Sequence, residues 1–193
     1  VKTHFEPVRI RRIMKIRFIL PALIMLWLLT GHEPAGAQEE VEDLIDLFES
    51  KGKMVALVSG ERSVSVDLRS SETVQWQGVK GYLAAFLTNE RFAALSSRSG
   101  RWQTLDLRLS EDQAEWTAMS EYLALVVTQD RIIAYDSDVQ TFVESRLSRT
   151  ESVLKATTQK NLGIVVTDTR ALALTSKVPM FSEIPFRVRE TVE

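Results

Sequence analysis

The 193-residue sequence contains no cysteine and only two histidines, His4 and His32, both near its beginning. Without thiols, a disulfide framework, a thiolate nucleophile and a zinc–thiolate site are excluded. Beyond position 32 no imidazole is available as a general base, and the commonest metal ligand is missing. No glycine-rich loop able to cradle a phosphate occurs, and no basic stripe marks a nucleic-acid surface. No metal and no cofactor is expected. A long apolar run is lacking as well. The stretch from Phe18 to Leu29 has 12 residues, short of the roughly 20 that span a bilayer.

That short run has the setting of a secretory signal peptide. Arg9, Arg11, Arg12, Lys15 and Arg17 precede it, and Ala35-Gly36-Ala37 places small residues where a signal peptidase reads. Met14 opens a complete signal sequence by itself, so residues 1–13 read as an upstream extension. Cleavage after Ala37 leaves residues 38–193, enough for one domain with a core. It also removes more cations than anions, taking the net charge from −2 to about −6, which repels phosphate backbones and makes nucleic acid an unsuitable partner. The expectation is a periplasmic or secreted protein with no stable transmembrane span after cleavage. An exported chain without disulfides fits a bacterial periplasm best.

Internal repetition organises the remainder. Thr88, Thr128 and Thr167 each stand three residues before an arginine, Arg91, Arg131 and Arg170, and Ser59 with Arg62 forms an earlier, shorter copy. An aromatic recurs at the same spacing as Trp102, Phe142 and Phe181. "LALVVT" is a β-branched apolar run suited to a strand covered on both faces, and "RIIAY" follows across the two polar residues Gln129 and Asp130, which close a hairpin. "TFVESRL" alternates, and a fourth short segment follows around "VLKAT", with counterparts that carry Trp76 and Trp116. About four strands per unit result, with units near 54–81, 82–121, 122–160 and 161–193. Ala94, Ala134 and Ala173 recur at one position, with Ser65 in the early copy, where a small side chain lets backbones approach closely.

The segments "VVTQDRIIAYDSDVQTFVE" and "FLTNERFAALSSRSGRWQT" resemble generic β-propeller blades of the quinoprotein and kelch-like kind, with "RSGRW" at Arg98 to Trp102 the nearest match to their turn before an aromatic. The kelch double glycine is missing, and four units stand where such propellers usually have six to eight. The resemblance implies an all-β, propeller-like array of about four antiparallel sheets, and no activity. Ahead of it, residues 38–53 read as an amphipathic helix, with Val41, Leu44, Ile45 and Phe48 on one face and Gly52 as its C-cap. Such a helix is expected to cover an open edge of the array.

Four arginines, Arg62, Arg91, Arg131 and Arg170, lie at equivalent heights if the units surround an axis, and a ring of guanidinium groups would hold a carboxylate, phosphate or sulfated glycan. The plainer expectation pairs each with a nearby surface acid such as Glu61, Glu90, Asp130 or Asp168. Asp136 and Asp138 lack the further ligands and glycine of a calcium loop, so they read as solvated turn acids. Trp76, Trp102 and Trp116 read as packing between units rather than as a carbohydrate or peptide platform. Lysines such as Lys155 or Lys177 could serve as bases. The functional expectation is an exported binding or scaffold protein of the bacterial envelope, with a protein or envelope ligand as partner and a homodimer as one way of completing a ring. The competing expectation is a hydrolase or lyase with a carboxylate- or lysine-based site in the central channel.

Overall fold

The computed structural model describes residues 42–186, apart from 61 and 112. The signal peptide and the first residues expected to be helical lie outside the described residues, as does Glu61.

Among the described residues, fifteen strands form four antiparallel meanders. The first sheet holds β1 (Ile45–Ser50), β2 (Lys53–Val58) and β3 (Arg62–Asp67). The second holds β4 (Val74–Lys80), β5 (Leu83–Thr88), β6 (Arg91–Ser96) and β7 (Trp102–Asp106). The third holds β8 (Trp116–Met119), β9 (Leu123–Val127), β10 (Arg131–Asp136) and β11 (Thr141–Arg146). The fourth holds β12 (Val153–Gln159), β13 (Leu162–Thr167), β14 (Arg170–Thr175) and β15 (Ser182–Pro185). Within each sheet every strand pairs with its sequence neighbour. The array is β-propeller-like.

Two sequence expectations need correction. Residues 45–50 are strand β1, not helix: Ile45 pairs with Val58 and Ser50 with Lys53. Gly52 is the second residue of a two-residue hairpin turn in which Lys51 and Gly52 both have positive φ, 49° and 73°, so the glycine that reads as a helix cap serves a tight reversal instead. The pattern was open to both readings because Ile45 and Leu47 face the second sheet while Phe48 faces outward, giving a strand apolar on both faces. The unit boundaries also shift. The segments carrying Trp76 and Trp116 do not end the units near 54–81 and 82–121; they open the following sheets as β4 and β8. Self-similarity gives the length of a repeat but not which strand begins a sheet.

Packing between the sheets runs in chain order. One apolar cluster joins the second sheet to the third through Leu83, Leu87, Phe92, Val126, Ile133 and Tyr135. Another joins the third to the fourth through Leu125, Ile132, Val165, Leu172 and Leu174. Two smaller clusters join the first to the second, around Ala56 with Leu95 and around Met54 with Phe86. Strands β5, β6, β9 and β10 are accordingly buried along their whole length, whereas β2, β3, β13 and β14 bury at most one side chain in two. Ala94 and Ala134 lie fully inside these contacts, as small residues at a close approach should. The recurring aromatics act here too. Trp102 meets Phe86 edge-on at 5.2 Å, and Phe142 packs on Phe92 and Tyr135 at 5.4 and 5.1 Å.

Candidate functional site

The repeated arginines come first, because the structure gives them a specific task. In the hairpins β5–β6, β9–β10 and β13–β14 the threonine hydroxyl donates to the arginine carbonyl at 3.2, 3.1 and 3.0 Å and accepts from the arginine amide at 3.0, 3.2 and 3.0 Å. One side chain thus closes the turn from both ends. Each arginine side chain then reaches back to the link entering its own sheet. Arg131 donates from Nε and Nη2 to Glu111, both at 2.7 Å, and from Nη2 to the Asp106 carbonyl at 3.1 Å. Arg170 makes the same bonds to Glu151, at 2.8 and 3.1 Å, and to the Arg146 carbonyl at 2.6 Å. Arg91 bonds Glu72 from Nη2 at 2.9 Å and the Asp67 carbonyl at 2.5 Å, with Nε ion-paired to the same glutamate at 2.7 Å.

The glutamates are tied down in turn. Each accepts from the amide three residues before it, Arg69 to Glu72 at 2.6 Å, Arg108 to Glu111 at 2.8 Å and Ser148 to Glu151 at 3.0 Å. Their side chains are essentially buried. Since the carbonyls of Asp67, Asp106 and Arg146 end the last strands of the preceding sheets, each arginine–glutamate pair clasps one sheet to the next. Burial by itself pushes the Glu111 carboxyl up, but its bonds to Arg131, to the Arg108 amide and to Thr128 outweigh that and hold it below the usual glutamate range. Glu151 is held low in the same way by Arg170, Ser148 and Thr167.

The expected partners Glu90, Asp130 and Asp168 are therefore not the partners of these arginines; Arg91, Arg131 and Arg170 spend Nε and Nη2 on the buried glutamates and strand-end carbonyls, and Nη1 of Arg131 and of Arg170 bonds the half-exposed Glu144 and Glu183. Arg62 does not share their position. In the first sheet Val58 pairs with Arg62, whereas Leu87 pairs with Phe92 and Val127 with Ile132 across one residue more. A one-residue slip reverses the face of every side chain that follows. Arg62 consequently leans toward Gly100 of the second sheet, the sheet that follows it, and is exposed.

Free charge gathers at the opposite end of the array. Turns of the second, third and fourth sheets surround a recess of about 410 Å³ lined by Arg98, Tyr122, Asp138, Lys160, Asn161, Ser176 and Lys177. Three of these lining residues are held from behind by Asp136, which is fully buried and accepts from Ser176 Oγ at 3.0 Å and from the amides of Asp138 and Lys177 at 2.8 and 2.7 Å. Ser176 Oγ also lies 2.8 Å from Asp138. Asp136 and Asp138 are thus structural turn acids rather than solvated ones. Asp138 is paired with Arg98, whose guanidinium also sits 5.5 Å above the Tyr82 ring. Tyr82 stacks on Tyr122 at 5.3 Å. Burial, the neighbouring Tyr82 and Asp138 push the Tyr122 phenol upward, so it remains a protonated donor.

Lys160 and Lys177 complete the recess. Among the described residues neither ammonium meets a carboxylate, and both residues have positive φ, 50° and 76°. A left-handed lysine carries backbone strain of about 1 kcal/mol. Lys160 stands at the turn position where β4–β5 has Gly81. A second recess, about 510 Å³ beside Arg69, Glu90, Asp106 and Arg108, differs in that its two acids are bonded by Arg69, Glu90 at 3.1 Å and Asp106 at 3.0 Å. Lys177 was visible in the sequence as a possible base; Lys160, Tyr122 and Arg98 were missed as a group because they converge from separate sheets. Trp76 and Trp102 pack between sheets as expected, while Trp116 is 38% exposed beside the fourth sheet. Lys155 lies exposed on the outward face of the fourth sheet, beside Val166.

No protein-family model and no curated protein matches the sequence. Solved structures of similar trace include HIRA residues 644–1017, with a TM-score of 0.43, 10% identity, and coverage of 69% of this chain and 44% of that one. PorZ of Porphyromonas gingivalis, a surface component of the type-IX secretion system, gives a TM-score of 0.43 and 13% identity over 78% of this chain and 20% of its own. The N-terminal domain of Nup159 gives 0.31 and 10% over 74% and 47%. This chain spans less than half the length of each. Among the described residues no helix is long and apolar enough to cross a membrane, and no group of acids and histidines could hold a metal ion.

Proposed function

We infer that this chain is an exported binding module of the bacterial envelope, and that its recognition surface is the recess at the Arg98–Tyr122–Lys160–Lys177 end. Signal-peptide features at residues 14–37 support export. The ligand class is a carboxylate, carried by an acidic segment of a partner protein. The single observation that carries this reading is the contrast between the two ends of the array: the repeated arginines are consumed by glutamates, whereas two lysine ammoniums without carboxylate partners frame an open recess beside a phenol that keeps its proton. An acidic side chain entering there would accept from both lysines and from Tyr122, and Arg98 would hold the wall through Asp138.

Left-handed backbone at Lys160 and Lys177 is shared with the turn residues Lys51 and Gln140, so the reading rests on the charges of the recess and not on strain. The recess is proposed in preference to an anion site at Arg62, Arg91, Arg131 and Arg170, because the last three arginines are paired with glutamates. The resemblance to quinoprotein and kelch-like blades bears on architecture and adds no activity.

The test is calorimetric titration with a glutamate-rich peptide at low and moderate salt. Binding should weaken at least about tenfold in the Lys160→Ala/Lys177→Ala variant, and should weaken with salt. Equal binding by the variant would remove the recess from consideration.

A further inference from the structure

We propose that the outward face of the fourth sheet docks on the outward face of the first sheet of a second copy, so that two chains close a common ring of eight sheets.

The argument is the continuation of an interface already present twice. The second sheet meets the third through Leu83, Ala85, Leu87, Phe92 and Ala94. The third meets the fourth through the residues at the same places, Leu123, Leu125, Val127, Ile132 and Ala134, each at most 1% exposed. In the fourth sheet those places hold Leu162, Ile164, Val166, Ala171 and Ala173, again wholly apolar, yet only half-buried. The strand register puts them on one face, Ile164 beside Ala173 and Val166 beside Ala171. A face patterned to dock and left uncovered implies an occupant of matching shape.

The first sheet supplies the matching face. Leu57 occupies the place that Phe86, Val126 and Val165 take in the other sheets, where each is fully buried against the preceding sheet, but Leu57 is 44% exposed. Phe48, beside Val55 across β1–β2, is 42% exposed on the same face. Charge agrees as well. Lys155 shares the outward face of the fourth sheet with Val166, and Asp46 shares that of the first with Leu57; both are exposed. Stacked as the internal sheets are, Lys155 would come beside Asp46 of the other copy. Two such contacts related by a two-fold axis close the assembly, and eight sheets lie within the range propellers adopt.

This seam would lack one feature of the internal contacts. The slip in the first sheet turns Arg62 toward the second sheet, so no arginine–glutamate clasp spans the two copies. The dimer should therefore dissociate on dilution while each chain stays folded.

Light scattering coupled to size-exclusion chromatography over a dilution series tests the proposal on the processed chain. Two-chain mass is expected, with Ile164→Asp and Leu57→Asp each raising the dissociation constant at least about 100-fold through a buried charge. Circular dichroism confirms that both variants keep their strands. Lys155→Glu should weaken association, and adding Asp46→Lys should restore it. A monomer at every concentration, a dimer indifferent to both aspartates, or a Lys155→Glu loss that Asp46→Lys fails to restore overturns the proposal, and none of these results bears on peptide binding at the lysine recess.

Discussion

At the scale of the residue, the clasp of glutamate, arginine and backbone carbonyl explains why threonine and arginine recur. Threonine fixes the turn, and the fixed turn aims the arginine at the preceding sheet. Thr128→Val removes the hydroxyl that accepts from the Arg131 amide and shares its one proton between the Arg131 carbonyl and Glu111; a loss of about 1–2 kcal/mol in denaturant unfolding is expected. Acid should act through the same groups. Because Glu111 and Glu151 are held below their ordinary value of 4.5 in the folded chain, the stability they confer is complete above that value and is lost as pH falls through their lower, folded values. Urea unfolding from pH 7 to pH 2 should show the loss confined below that point, and Glu111→Gln should make the curve shallower. Tyr135 offers the opposite case: its buried hydroxyl has no hydrogen-bond partner among the described residues, and burial pushes the phenol up to about 12. Tyr135→Phe is expected to stabilise by about 1 kcal/mol, read as a higher midpoint in the same unfolding experiment. The threonine–arginine pairs were legible in the sequence, but their partners were not. Glu72, Glu111 and Glu151 keep a nearly constant distance ahead of the arginines, a signal hidden because each arginine also has a closer acid that proves irrelevant.

At the scale of the element, hairpins were the most legible feature, since two polar residues between apolar runs leave little alternative to a reversal. Strand β1 was misread for a physical reason. A strand at the end of an array carries apolar residues on both faces, Ile45 and Leu47 toward its neighbour and Phe48 outward, and that spacing imitates one face of a helix. The start of each sheet was also obscured, because Trp76 and Trp116 follow the previous unit at short range in sequence yet pair forward, Trp76 with Leu87 and Trp116 with Val127. Turn chemistry separates structure from use. Gly81 has φ of 55°, and a Cβ there would lie 3.0 Å from Glu121, so Gly81→Ala should cost about 1–2 kcal/mol. Lys160, in the matching turn, invites the reverse substitution. Lys160→Gly should raise the thermal midpoint modestly, by relief of about 0.5–1 kcal/mol, while weakening the binding of an acidic peptide. Calorimetry of unfolding and of binding on the same variant would show whether strain is kept there for the charge.

At the scale of the whole molecule, stability is expected to decline from the middle outward. The second and third sheets are covered on both faces and the first and fourth on one, so the four-sheet array has a centre and two exposed flanks. The all-β class, the repeat and the number of sheets could be read before any coordinates, because periodicity and alternation are properties of the chain. The recess could not: Arg98, Tyr122, Lys160 and Lys177 belong to different turns, and only stacking brings them together. That stacking depends on the clasps, and a double-mutant cycle on Glu111 and Arg131 tests them most directly. With Arg131→Met, Glu111→Gln and the double variant unfolded in urea at neutral pH, each single change should cost about 3–5 kcal/mol and the coupling should reach at least about 2 kcal/mol. A coupling below about 0.5 kcal/mol would mean that the pair does not hold the second sheet to the third, and the account of the array would be wrong.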